Sequence, residues 1–298
     1  MRRIVLALSG VLLLAAGGAY ALTRPQQLPA SQLPEGPGDL ARGELVFHAG
    51  GCMSCHADED GGLGGGRPLA TPIGVFHPPN ITPDPQAGIG GWTLADFANA
   101  MQRGVAPDGS HLYPAFPYTS YARMAPQDIA DLFAYLRSLP AAATAKVPDD
   151  LAFPYDVRPA LGLWKRAFLS NEPVVDLLAA DAVVRRGQAL VEGAGHCGEC
   201  HTPRTLGGLG PSDTSRWLAG APDPDGEGTV PNITPSDAGI GDWSQDDIAY
   251  YLETGFTPDY DAVGGSMAEV QANIAQLTAE DRDAIAAYLK AIPPVEDE

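Results

Sequence analysis

The chain is poor in positive charge, in cysteine and in methionine. Only 18 Lys and Arg stand against 37 Asp and Glu, a formal charge of −19. So acidic a surface repels phosphate backbones, which excludes nucleic acid and leaves either a well-solvated surface or one that steers toward a basic protein. No pairing of general base with nucleophile stands out along the sequence. Gly 35 and Pro 28 argue against long bundles and for loop-rich domains, although a hydrophobic content of 45% is ordinary for a globular protein.

Scarce as they are, the 4 cysteines are not scattered. They fall in Cys52-Met53-Ser54-Cys55-His56 and Cys197-Gly198-Glu199-Cys200-His201, with none left over. C-x-x-C-H is the attachment signature of c-type haem. The two thiols of each motif reach the two vinyl groups of one porphyrin, and the histidine lies under the iron as proximal ligand. Cys52, Cys55, Cys197 and Cys200 are therefore expected to carry two covalent haem c groups, with His56 and His201 on the irons. A redox dithiol or half of a zinc site is the blander reading of one C-x-x-C, but it does not account for two motifs each followed by His.

A chain of 298 residues suggests about two domains, and an internal repeat supports that count. Arg42-Gly43 and Arg186-Gly187 open short helical patterns ahead of the two motifs. Pro79-Asn80-Ile81-Thr82-Pro83 returns as Pro231-Asn232-Ile233-Thr234-Pro235, and Ala87 to Trp92 returns as Ala238 to Trp243. Capping boxes then start a helix in each half, Thr93 with Asp96 and Ser244 with Asp247; each ends near a glycine, Gly104 or Gly255. A closing amphipathic helix follows, with Ile129, Leu132, Phe133 and Leu136 on one face and Ile285, Tyr288, Leu289 and Ile292 in the other repeat. This order is that of a class I cytochrome c domain. The fold expected is all-α, two such domains in tandem at 39–140 and 179–296. A segment at 141–178 joins them, linker-like at first, then too aromatic around Trp164 and Phe168 to be free.

The N-terminus sets Arg2 and Arg3 before an apolar run from Ile4 to Leu22. That is an export signal, in keeping with haem attachment in an exported, oxidising compartment. Ala19-Tyr20-Ala21 would serve as a cleavage site, yet the run is long enough to span a bilayer, and the two arginines would keep its start inside. The favoured reading is a retained anchor at 1–24, followed by a tether at 25–38, on the periplasmic side of the inner membrane.

An electron-carrying haem usually takes a second strong ligand, commonly Met. Met267, in a glycine-rich loop before the second closing helix, is expected to be that ligand for haem 2. The first domain has no equivalent methionine. Three readings stay open for haem 1: His111 ligates, Met124 ligates after a loop shift, or the iron is open and five-coordinate. Smaller expectations are that Pro68 or Pro203 offers a carbonyl to a proximal histidine, that His77 lies near a propionate, and that His48 and His196 are exposed. Asn80 and Asn232 are expected to bond loop backbone or a propionate.

The stretches Pro79 to Trp92 and Leu112 to Tyr121, with the two motifs, resemble the cytochrome c subunits of bacterial membrane-bound alcohol, gluconate and aldehyde dehydrogenases. The resemblance covers nearly everything after residue 38. It implies an electron-transfer protein that takes electrons from a periplasmic or membrane-bound dehydrogenase subunit and passes them to quinone or a terminal oxidase. Members similar to this chain carry a Met ligand within Y-P-A-M-P-Y and usually three haems; here Phe116 holds that place and there are two motifs. The alternative is an enzyme, a di-haem peroxidase with an open first haem.

Overall fold

Asp39 and Asp181 start the two Arg-Gly helices, each carboxylate accepting from a backbone N–H three residues on, Arg42 N at 3.0 Å and Val184 N at 2.9 Å. In the computed structural model, which describes residues 2–33, 36–177, 180–223 and 228–296, these helices are α2 (Leu40–Ala49) and α8 (Ala182–Gln188). The latter continues in a wider turn over Ala189–Ala194. They cross the closing helices α6 (Pro126–Ser138) and α12 (Ala279–Ala291) with backbone against backbone. Glycine makes this approach possible. A Cβ on Gly43 would lie 2.1 Å from Asp131 O, and one on Gly187 would lie 1.9 Å from Ala284 O.

The attachment motifs form the short helices α3 (Cys52–His56) and α9 (Gly198–His201). The middle helices are α4 (Leu94–Arg103) and α10 (Gln245–Thr254), both with complete capping boxes and left-handed Gly104 and Gly255 beyond their ends. Between middle and closing helices lie α5 (Tyr118–Tyr121) and α11 (Met267–Ile274). Phe97 stacks on Phe133 at 4.9 Å, and one contiguous apolar core runs through both halves.

The all-α expectation holds only in its main lines. A small antiparallel sheet joins β1 (Leu69–Thr71), β2 (Gly74–Phe76) and β3 (Asp150–Leu151), with Leu69 opposite Phe76 and Gly74 opposite Leu151. A second pair joins β4 (Ala221–Pro222) to β5 (Thr229–Val230). Because β3 comes from the inter-domain segment, that segment is fastened to the first domain rather than loose. Its helix α7 (Ala160–Phe168) buries Lys165, whose ammonium donates to Arg103 O and Gly104 O at 2.8 Å each, at the carbonyl end of α4. Trp164 donates to Leu209 O at 3.1 Å, so the segment also reaches the second domain's glycine-rich loop. The expected start of the second domain, between 178 and 179, lies outside the described residues.

The helix α1 (Arg2–Thr23) occupies the N-terminal span. Among the described residues no helix is long and apolar enough to cross a membrane. The end of α1 is docked on α7, with Arg166 donating to Leu22 O and Ala21 O.

The repeated Pro-Asn-Ile-Thr-Pro has a structural explanation. Asn80 Oδ1 accepts from Thr82 N at 2.8 Å while its amide donates to Ala142 O at 2.6 Å. Asn232 repeats this with Thr234 N at 2.8 Å and Val295 O at 2.7 Å. Both asparagines are buried and tie the chain beyond each closing helix back to its domain.

Candidate haem centres

The proximal side is built the same way twice. His56 Nδ1 lies 2.7 Å from Pro79 O, and His201 Nδ1 lies 2.8 Å from Pro231 O. A carbonyl can only accept, so Nδ1 carries the proton and Nε2 presents a bare lone pair, the tautomer an iron ligand needs. Burial lowers both imidazole pKa values, with the carbonyl bond opposing it, so both rings stay neutral. These carbonyls belong to Pro79 and Pro231, not to Pro68 or Pro203. In the first domain Gly65 N and Gly66 N bond back to His56 O and Pro78 O, and in the second Gly220 N bonds to His201 O, which folds each loop so that the Pro-Asn-Ile-Thr-Pro segment runs beside the ring.

None of the four cysteines is joined in a disulfide. Burial pushes the Cys52 and Cys197 thiols up to about 12, with a smaller push from the neighbouring cysteine of each motif. S–H groups kept protonated suit addition across a vinyl. Among the described residues no three or more His, Cys, Asp or Glu side chains gather as a metal site. The donor set therefore fits covalent haem and not zinc.

The distal side differs between the halves. Gly104 and Gly255 begin the same turn: Leu112 N donates to Gly104 O and Val263 N to Gly255 O, both at 2.7 Å. Short bridges pair Val105 with His111 and Phe256 with Ala262. Counting forward from these matched positions without a gap sets Phe116 where the second domain has Met267. His111 stands where it has Ala262. The imidazole of His111 is buried and its Nε2 donates to Thr23 O at 2.6 Å, at the carbonyl end of α1. In this structure His111 is thus a tether for the N-terminal helix. Met267 begins α11, half-buried.

His48 and His196 are not exposed as expected; both are half-buried. His196 takes a left-handed backbone (φ 39°) at the place where the first domain has Gly51 (φ 53°). Its ring meets Tyr121 edge-on at 5.8 Å, and its Nε2 donates to Gly50 O at 3.3 Å. His77 gives its backbone N–H to Asp149 at 3.1 Å, and its Nδ1 is buried without a partner.

These contacts put the two attachment loops against each other. α5 packs on the turn before α9, with Thr119 and Ser120 donating to Glu199 at 2.7 and 2.9 Å; α11 packs on the end of α2, with Asn273 reaching Ser54 at 3.5 Å. Each domain thus lays the short helix before its closing helix over the other's haem motif. Sequence reasoning missed this interface. Its one local signal was the acidic Glu199 inside a motif, paired here with Arg204.

The cytochrome c family model matches twice, over residues 40–140 and 184–293. The chain belongs to the cytochrome c family. A relative from Cereibacter sphaeroides described as a diheme cytochrome c-type protein is 52% identical over 99% of this chain and 100% of its own length. The cytochrome c subunit of alcohol dehydrogenase (quinone) from Gluconobacter oxydans is 40% identical over 86% of this chain and 55% of its own. The gluconate 2-dehydrogenase cytochrome c subunit of Pantoea cypripedii is 38% identical over 85% of this chain. The chain spans 55% and 59% of the lengths of those two dehydrogenase subunits. This cytochrome carries two covalently bound haem c groups.

Proposed function

We propose that this cytochrome is an electron-transfer subunit at the periplasmic face of the inner membrane, receiving electrons from a dehydrogenase and passing them to quinone or a terminal oxidase. The observation that carries the reading is the contact between the two attachment loops, with His196 on Gly50 and α5 on α9, which makes one two-centre path of the two domains. Haem c, when bound, supplies one-electron Fe(III)/Fe(II) cycling, with potentials set by axial ligand and burial. The chain's own part is to hold the proximal imidazoles by their carbonyl partners and to fix the distance between centres. The relatives support a dehydrogenase partner, because their names make them cytochrome subunits of such enzymes. Support for the membrane comes from α1, where Leu13 and Leu14 are 74% and 79% exposed; apolar side chains left so bare want a lipid or protein cover. The peroxidase reading is not favoured, since the named relatives are cytochrome subunits of dehydrogenases.

The test is a strain lacking this chain. Dye-linked oxidation of alcohols and sugars by its membranes is expected to remain while substrate-driven oxygen uptake falls, and the uptake to return with the gene. Unchanged oxygen uptake on every substrate so oxidised would overturn the reading.

A further inference from the structure

We propose that the turn after the second domain's middle helix is the docking site of a basic electron-carrying protein, which exchanges electrons with haem 2. This deepens the electron-carrier reading and rests on it.

The internal repeat is the first observation. The turns after Gly104 and Gly255 are one structure built twice: Ala106 N meets Ser110 O and Thr257 N meets Asp261 O, both at 2.9 Å, inside the matched bridges. In the first domain the chain itself covers this turn. Lys165 of α7 sets its ammonium on Arg103 O and Gly104 O, His111 is held at the end of α1, and Arg158 donates to His111 O at 3.0 Å. Val105 beneath them is 1% exposed. The second domain leaves the same turn bare. Phe256, the counterpart of Val105, is 44% exposed, and Ala262, the counterpart of His111, is exposed too. Its one lysine, Lys290, donates to Ile240 O and Gly241 O, away from the carbonyl end of α10. The first domain thus shows what fits the turn: a lysine at the last carbonyls of the middle helix, with an apolar helix around it.

The second observation is charge. From Trp217 to Asp281 the sequence has Asp and Glu but no Lys or Arg. Arg282 reaches Glu253 at 3.3 Å and Arg67 reaches Glu269 at 3.9 Å. Asp259 and Asp261, exposed at the tip of the turn, meet no cation among the described residues. A field of one sign on the loop that leads to Met267 draws in a positive surface. The third observation is Tyr260, between those aspartates. It is 82% exposed and holds a left-handed backbone (φ 66°) where the first domain uses Gly109 (φ 81°). A bulky residue is strained in that region, and glycine serves the turn as well. A phenol kept bare at such a tip suits an interface rather than the fold.

The test mixes reduced holoprotein, freed of reductant, with ferric mitochondrial cytochrome c, a strongly basic probe. Wild type is expected to reduce it with a rate constant that falls about tenfold from roughly 10 to roughly 300 mM salt. Asp259→Asn with Asp261→Asn slows the low-salt reaction several-fold. Tyr260→Gly slows it as well, with a Tm equal to or above that of wild type, which a residue serving only the fold would not give. Asp108→Asn, at the covered counterpart of Asp259, leaves the rate unchanged, and every variant reduces ferricyanide at least as fast as wild type. Ferrous cytochrome c is expected to move amide signals of the holoprotein in residues 254–262 and not in 103–111. Variants that react at the wild-type rate, an equal loss in Asp108→Asn, or a wild type that reduces ferricyanide alone overturn the docking site while the carrier reading stands. A dimer that Tyr260→Gly splits gives the face to a second copy and overturns it too. A wild type that reduces neither acceptor overturns both.

Discussion

Replacing Gly187 by Ala tests the helix crossing on which the second haem site is built. The added Cβ would stand 1.9 Å from Ala284 O and 2.7 Å from Tyr288 Cβ, against 3.4 Å for an ordinary contact, so α8 and α12 must part by 3.4 − 1.9 = 1.5 Å. No rotamer relieves the clash, because the obstacle is backbone. Overpacking of this kind costs up to about 3 kcal/mol, and the better helix propensity of Ala returns about 1 kcal/mol. The net loss is about 2 kcal/mol, and at roughly 2–4 °C per kcal/mol, the scale for the larger unit that two halves sharing one core make, the Tm falls by roughly 4–8 °C. Thermal unfolding of the holoprotein, followed at the Soret band and by far-ultraviolet circular dichroism, reads the change. Gly17→Ala in α1, where a Cβ meets nothing within 4 Å, is the control and should leave the Soret transition in place. If Gly187→Ala melts with wild type, the crossing does not close on glycine as described.

Other expectations follow from single contacts. His111→Ala removes the bond to Thr23 O and should free the end of α1 at a cost of about 1 kcal/mol, seen as faster amide exchange in residues 20–24. Its haem spectrum should match wild type; a new carbon monoxide adduct would restore His111 as an iron ligand. Burial pushes the Lys165 ammonium down to about 7. Its folded pKa lies below the unfolded value of about 10.4, so the unfolded chain holds the extra proton between those pH values and stability rises with pH across that window. The Tm of wild type minus that of Lys165→Met should therefore increase from pH 7 to pH 10, and a fall would contradict the assignment.

What could be read in advance was local. The haem motifs, the capping boxes and the closing-helix stripes each lie within a few turns of chain, where spacing alone determines which groups meet. His111 could not be read so, because its partner Thr23 is 88 residues away and a lone histidine in a loop carries no sign of what it will face. The proximal carbonyls were half legible: Pro79 and Pro231 belong to a literal repeat, but that they lie beside His56 and His201 depends on how the glycine-rich loops turn. The domain interface was not legible, since Thr119, Ser120 and Glu199 have no shared pattern. The short strands escaped for a similar reason, β3 being supplied by a segment that reads as linker.

The central claim is that two touching attachment loops make one conduit, and intramolecular electron transfer tests it most directly. A flash-generated reductant delivers a single electron to the oxidised holoprotein, and the two haems are followed at wavelengths that separate them. The account predicts a fast phase, independent of protein concentration, in which the electron redistributes between the centres. Two haems that reduce and reoxidise independently, with redistribution only by collision between molecules, would contradict it.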